Sequence, residues 1–286
     1  MSDFLPPGLH LDVPHDVYHA DPSERPSLSA HAAMTLIKRS AGHAAKEHPR
    51  FGAEVKKRTD SMDVGSLLHD FVIGGGGEFV EVDADAWRTN EAKAKREAAT
   101  KEGKIAVLTG KLATLRKAAE ETRKVLPFNI EEARREVTAI WESDGTPCRC
   151  RIDMLFPDWW IWDLKFTEDA VLAAADHNIA ERGGHIQAAA NIDAIEGLFP
   201  EAAGRVHFGL CFVEWENPSI GIMRREIRGQ LLDVGQHDWK RAKAIWGACL
   251  AAQNFPGYST DIVEAQCPPW VAAAELEKQM NQKPPF

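Results

Sequence analysis

No apolar run in this chain approaches the length of about 20 residues that spans a bilayer. Its opening, MSDFLPPGLHLDVPHD, has no basic segment followed by an apolar one. The expectation is therefore a cytoplasmic protein. Cysteine is scarce: five in 286 residues, an odd number, scattered except for the pair Cys148 and Cys150. There is no C-x-x-C, which removes zinc ribbons and iron–sulfur clusters. On a strand Cys148 and Cys150 point to one face, poor geometry for a mutual disulfide, so all five read as reduced thiols. An excess of positive charge is also lacking; the net charge is −9. That balance speaks against an electrostatic nucleic-acid binder until its distribution is considered. No internal repeat and no domain-separating linker is found.

Two segments run against the acidic background. His31 to Arg58 holds Lys38, Arg39, Lys46, Arg50, Lys56, Lys57 and Arg58 against Glu47 and Glu54. Glu91 to Lys124 holds ten Lys/Arg against five Glu. Each is either a solvated helix face or one wall of a phosphate-binding groove. In the second case Lys38, Arg39, Lys56, Lys57 and Arg58 are the candidates to approach a nucleic-acid backbone.

The first thirty residues read as extended and Pro-punctuated, followed by a helix capped by Ser27 or Ser29 and running to about residue 47. DVGSLLHDFVI is a short helix stopped by Gly74–Gly77, which lack the Lys-Ser/Thr of a phosphate loop and read as a flexible loop. Residues 84 to 126 are Ala-, Lys- and Glu-rich and read as a helical pair broken at Gly103. The period then changes to that of strands: REVTAIWES, CRCRIDML and WIWDLKF, separated by the turns DGTP and FPDW. A loop, the helix HIQAAANIDAIEGLF, the strands RVHFGLCFVEW and SIGIMRREIR, a long helix from about Gly229 to Asn254 and a Pro-rich tail complete the chain. The pattern is α/β: a central mixed sheet flanked by helices, in one domain over 1–286 with a helical insertion.

The stretch CRCRIDMLFPDWWIWDLKFTED puts two acids into apolar strands. A turn centred near Asp158 sets Asp153 opposite Asp163, with Cβ atoms about 4.5–5.5 Å apart, an arrangement that destabilises a sheet when both are charged. Lys165 emerges on the face of Asp163, while Trp160, Trp162, Leu164 and Phe166 take the other. Two readings stay open. In one, Asp153 pairs with Lys165 and Asp163 is solvated. In the other, the carboxylates hold a hard cation such as Mg²⁺ (or Mn²⁺ in its place), with the Leu164 carbonyl as a further oxygen. Lys165, an ammonium, is then no ligand but serves a water or a phosphate. An acid two residues before a lysine occurs five times here, yet only Asp163/Lys165 lies in an apolar strand behind another strand with its own acid.

Asp-x9-Asp-x-Lys on consecutive strands resembles the PD-(D/E)XK nuclease superfamily. GSLLHDFV resembles the Gly-x-x-x-His helix of its RecB-like branch, placing a metal-site histidine at His69. HIQAAANID places the active-site glutamine of that branch at Gln187. With YHADPSERPSLSAHAAMTLIKRS and CPPWVAAAELE, the chain looks like the phage and prophage exonucleases of the exodeoxyribonuclease VIII (RecE) type. Ile152 replaces the name-giving proline, Asn191 stands where a tyrosine is frequent, and the cluster cysteines of CRISPR-adaptation relatives are absent. Glu136 is one more acidic candidate. The resemblance implies a restriction-endonuclease-like core over about 134–228 with the insertion at about 84–126. It also implies a Mg²⁺-dependent exonuclease acting 5′ to 3′ on linear duplex DNA in single-strand annealing recombination. His69, Asp153, Asp163 and Leu164 would hold the metal, Lys165 and Gln187 would complete the catalytic set, and a homo-oligomer and an annealing protein would be the partners. The rivals are a restriction- or repair-type endonuclease on this fold, a metal-independent glycoside hydrolase using Asp153 and Asp163, and a non-catalytic DNA-binding protein.

Overall fold

The computed structural model describes residues 4–53, 59–74 and 78–281. Lys56, Lys57, Arg58 and the glycines at 75–77 lie outside the described residues. The N-terminal stretch is not wholly extended: it forms a short strand β1 (Gly8–His10) and a helix α1 (His15–His19). The helix expected up to residue 47 is two helices, α2 (Ala30–Lys38) and α3 (Ala41–Lys46). Ser29 caps the first by accepting from the Ala32 amide. Ser40, in an extended conformation, breaks the run and caps the second by accepting from His43. α4 (Asp60–Ile73) starts at Thr59, whose hydroxyl accepts from the Met62 amide.

The insertion is not purely helical. Between α5 (Asn90–Lys101) and α6 (Thr109–Val125), the aliphatic run Ile105–Leu108 forms a strand, β3, parallel to β2 (Phe79–Val82). Alternate residues Ile105 and Val107 are buried under α6, so packing overrides the helical tendency of the surrounding composition.

The main sheet uses β1, β4 (Arg134–Ser143), β5 (Thr146–Leu155), β6 (Trp160–Thr167), β7 (His207–Glu214) and β8 (Ile222–Glu226), in the order β1-β4-β5-β6-β7-β8. Only β6 and β7 pair in parallel. A parallel pair needs a crossover, supplied here by α7 (Leu172–Glu181), which lies where a loop was expected, and α8 (Gly184–Leu198). α9 (Gly229–Ala252) covers α8, and α10 (Pro269–Asn281) occupies the tail with every described residue exposed. No helix among the described residues is long and apolar enough to cross a membrane.

α8 is sandwiched between the sheet and α9. Its alanines at 188, 189, 190 and 194 are buried and let the backbone approach both layers. At Gly235 of α9 a Cβ would stand 2.1 Å from the His185 carbonyl oxygen, so only glycine permits this crossing. Asp193 gathers one polar cluster in the sandwich: it accepts from the indole nitrogens of Trp141 (3.1 Å) and Trp239 (3.0 Å) and from Ser143 (3.0 Å), with Lys243 at 3.4 Å.

One row of the sheet breaks the rule that alternate residues share a face. Cys148, Cys150 and Ile152 of β5 pack into the main core with Val137, Ala139 and Trp141 of β4. Two residues past Ile152, Met154 joins a different core with Trp162 and Leu164, while Leu155 returns to the first. The slip falls at Asp153 and its β4 neighbour Glu136, whose φ is +52°. A non-glycine residue in that region costs about 1–3 kcal/mol and persists only where its surroundings enforce it.

Candidate metal centre

The expected hairpin register is present, since Met154 pairs with Trp162 and Leu155 with Ile161. Continued by one residue, it sets Asp153 beside Asp163, but the ladder stops short of them. Instead an Asp153 carboxylate oxygen accepts the Leu164 amide at 2.9 Å. On the other side of Asp153, β4 and β5 pair on both sides of Glu136, Arg135 with Met154 and Val137 with Ile152, yet not at Glu136 itself. Three acids on three adjacent strands, Glu136, Asp153 and Asp163, thus lie in one cross-strand row where the backbone pairing opens.

α4 brings His69 over this row. Its Nε2 lies 3.0 Å from Asp153 and its Nδ1 3.5 Å from Glu136. Donor atoms of His69, Glu136 and Asp153 all lie within 4.8 Å of one another, a spacing that would hold a metal ion. The other oxygen of Glu136 is bound by the Nε of Arg151. The one facing His69 is buried and has no hydrogen-bond partner among the described residues.

Asp163, 3% exposed, stands beside this group. One of its oxygens meets Lys165 Nζ at 2.5 Å and the other accepts from the side-chain amide of Gln187, delivered by the first turn of α8. Asp163, rather than Asp153, is therefore the direct partner of Lys165. Leu164 lines the same cleft, which has a volume of about 1720 Å³. Lys38 instead donates to the Glu181 carbonyl (2.6 Å) and Arg39 faces Glu47 (3.5 Å); neither lines the cleft.

The electrostatics follow from burying three acids together. Burial and the Asp153 charge push Glu136 up to about 7, against the pull of His69 and Arg151. Burial and Asp153 likewise raise Asp163. Burial alone would raise Asp153, but His69 reverses it and holds the carboxyl below its usual range. Burial draws the His69 imidazole down, and Asp153, Glu136 and Asp163 more than offset this, raising it to about 9. Burial also draws Lys165 down, and Asp163 with Asp153 overcomes that, so it stays an ammonium. The site is thus a negative focus neutralised by protons and one lysine, a state that a divalent cation would replace.

Glu136 carries more of the site than its sequence position suggested. A signal was present: the constant-sum register applied to Asp153 and Asp163 also works about the turn Asp144-Gly145, both with positive φ, and sets Glu136 opposite Asp153. Arg151, two residues before Asp153 on β5, falls on the same face by the same alternation, whereas the cleft-lining Tyr18, Lys111 and Arg182 carry no such pattern, because tertiary folding alone brings them here.

A search of curated proteins gives no match to this chain. A crystal structure described as that of a "Putative exonuclease" from Eubacterium rectale has a similar fold, with a TM-score of 0.55 at 10% identity over 85% of this chain and 91% of that one. A sequence profile of a PDDEXK-like domain of unknown function, DUF3799, matches residues 32–262. That span takes in most of α2, all of α3 to α9 and every member of the acidic row, so the chain belongs to this PDDEXK-like family.

Proposed function

We propose that this chain is a divalent-metal-dependent deoxyribonuclease that degrades linear double-stranded DNA from its ends. The supporting observation is the acidic row itself: His69, Glu136 and Asp153 within ligand distance of one another, beside an Asp163–Lys165–Gln187 cluster in one open cleft. The donor set fits a hard cation, since two carboxylates dominate it and one Glu136 oxygen is buried with no hydrogen bond among the described residues. His69, Glu136 and Asp153 would hold the ion, with Asp163 and the Leu164 carbonyl adjacent. A bound Mg²⁺ or Mn²⁺ would supply Lewis acidity toward the phosphate and lower the pKa of a water molecule.

The protein's own groups account for the rest. Lys165 is 44% exposed toward the cleft and held as a cation, so it donates to a phosphate oxygen or a water and is no proton acceptor. Gln187 fixes the orientation of Asp163 and hence the place of Lys165. From the insertion, Lys111 lies over the Trp215 ring at 4.1 Å and Arg96 over Trp87 at 5.0 Å, and both lysine and arginine line the cleft. Positive charge carried on aromatic rings suits a nucleic-acid backbone and its neighbouring sugars and bases. Contacts of this kind read phosphates, so little sequence preference is expected.

The resemblance supports the finer parts of the proposal: 5′ to 3′ polarity, a ring-like homo-oligomer and an annealing partner. Phosphate contacts by Lys38, Arg39, Lys56, Lys57 and Arg58 rest instead on the positive charge of their segment, and Lys38 and Arg39 would make them outside the cleft. The test is digestion of end-labelled linear duplex beside covalently closed circles, with Mg²⁺ and with chelator. Loss of linear DNA alone, only with Mg²⁺, is the expected outcome. Closed circles cut as fast as linear DNA would make it an endonuclease. Activity that survives chelator would remove the metal.

A further inference from the structure

The family match begins at residue 32, yet the metal centre has a contact path into the residues before it. β1 runs antiparallel along β4, with Leu9 opposite Ala139 and His10 opposite Thr138, two residues short of Glu136. The chain then turns at Asp12, whose φ is +57°, and the Val13 carbonyl accepts from Arg151 Nη1 at 3.1 Å. α1 follows, with no buried residue of its own, so filling the core does not explain its placement. Its Tyr18 ring lies over the guanidinium groups of Arg149 and Arg151, at 5.8 and 5.7 Å. The segment is tied down behind α1 by Asp21, which accepts from the Ser27 amide (2.8 Å) and hydroxyl (2.7 Å) and faces Arg149 at 3.2 Å.

Arg151 is the last link. Its side chain is 10% exposed and its Nε holds one oxygen of Glu136, leaving the other toward His69 and the ion site. Glutamate has three side-chain torsions, and here it also sits on a left-handed backbone. Without a partner fixing one oxygen, nothing selects the orientation that makes it a ligand. A guanidinium suits the task because its planar fork bonds the carboxylate and the Val13 carbonyl while its face meets an aromatic ring.

We propose that Arg151 is the positioning residue for Glu136, and that residues 4–19 are built into the ion site because they hold Arg151. This rests on the reading of the acidic row as an ion site. Groups that orient a metal ligand from behind typically contribute about 10–100-fold to metal affinity.

The experiment is calorimetric titration of the full-length chain with Mn²⁺, alongside the melting temperature of each metal-free variant. Arg151→Gln is expected to weaken Mn²⁺ binding about tenfold or more, and Arg151→Lys, which keeps charge but loses the fork, to recover part of the loss. Tyr18→Leu, at a residue that is not itself a ligand, is expected to weaken binding several-fold, and Tyr18→Phe, which keeps the ring, to restore it. Should Arg151→Gln fail to fold, the Tyr18 pair decides. Arg151→Gln binding Mn²⁺ within twofold of wild type would overturn the proposal. So would Tyr18→Leu binding no more weakly than Tyr18→Phe. The readout is ion binding: a wild-type protein that binds Mn²⁺ and leaves DNA intact sinks the nuclease reading and leaves this inference standing.

Discussion

Acid should loosen the N-terminal segment through one histidine. His48, with its side chain 1% exposed, is neutral because both ring nitrogens are already committed. Nε2 donates to the Ser27 carbonyl at 3.0 Å, and Nδ1 accepts the Arg50 amide at 3.2 Å. A second ring proton would point at that amide, and Arg149 stands 3.4 Å from Nε2. Burial first, then Arg149, pull the imidazole down from 6.5 to about 4, while Ser27 and Asp21 offset part of this. In the unfolded chain the ring titrates near its ordinary value, so the unfolded state binds the extra proton between these limits. Stability is thus intact above about pH 6.5, falls as pH drops, and the whole contribution is gone below about 4. At about 1.4 kcal/mol per pH unit the loss amounts to roughly 3 kcal/mol. Other groups titrate over the same range, so the assay is urea unfolding of wild type and His48→Gln across pH 4 to 8, read as the difference between the two. That difference should shrink by about 3 kcal/mol from pH 7 to pH 4. Two parallel curves would refute the reasoning and show that His48 accepts its second proton without cost.

Glu136→Gln removes a like charge set beside Asp153, so the metal-free protein should melt higher at pH 8 while the stabilisation by Mn²⁺ is largely lost; scanning calorimetry with and without the ion checks both. Lys165→Ala should leave Mn²⁺ binding nearly intact and abolish most cleavage, because the ammonium is not a ligand; retained activity in a single-turnover assay would remove it from the chemistry. Lys111→Ala should weaken DNA binding and lower its log–log salt slope by about one unit if that lysine meets a phosphate. Asp193→Ala leaves Ser143 and two indole nitrogens short of an acceptor, while Lys243 keeps Asp144 at 2.9 Å, and should cost about 3 kcal/mol in chemical unfolding, with Mn²⁺ affinity unchanged.

Local pattern gave the strands and their register. The turn after Phe156 and the alternation of WIWDLKF were enough to align Asp153 with Asp163, because antiparallel register depends only on the turn and the period. Helix α4 was legible from the glycines that stop it and α8 from its composition after Gly183-Gly184, whereas His69 and Gln187 were singled out by the resemblance alone. The breaks were not: Ser40 splits one expected helix, and Ile105–Leu108 leaves a helix-rich segment to form a strand. In each case a cap or a buried face outside the local window outweighed propensity.

What the sequence determined by itself was therefore a mixed α/β sheet with acids placed in an apolar hairpin, since hydrophobic period and turn chemistry are short-range properties of the chain. Tertiary structure alone decided how those acids are used. The opening of both ladders at Asp153, the left-handed Glu136 opposite it, the Arg151 fork and the N-terminal segment above it join residues more than a hundred positions apart, from Val13 to Arg151. Such contacts arise only when the sheet edge, α1 and α4 are packed together. A carboxylate's partners, burial and charge state follow from that packing, and no local pattern encodes them.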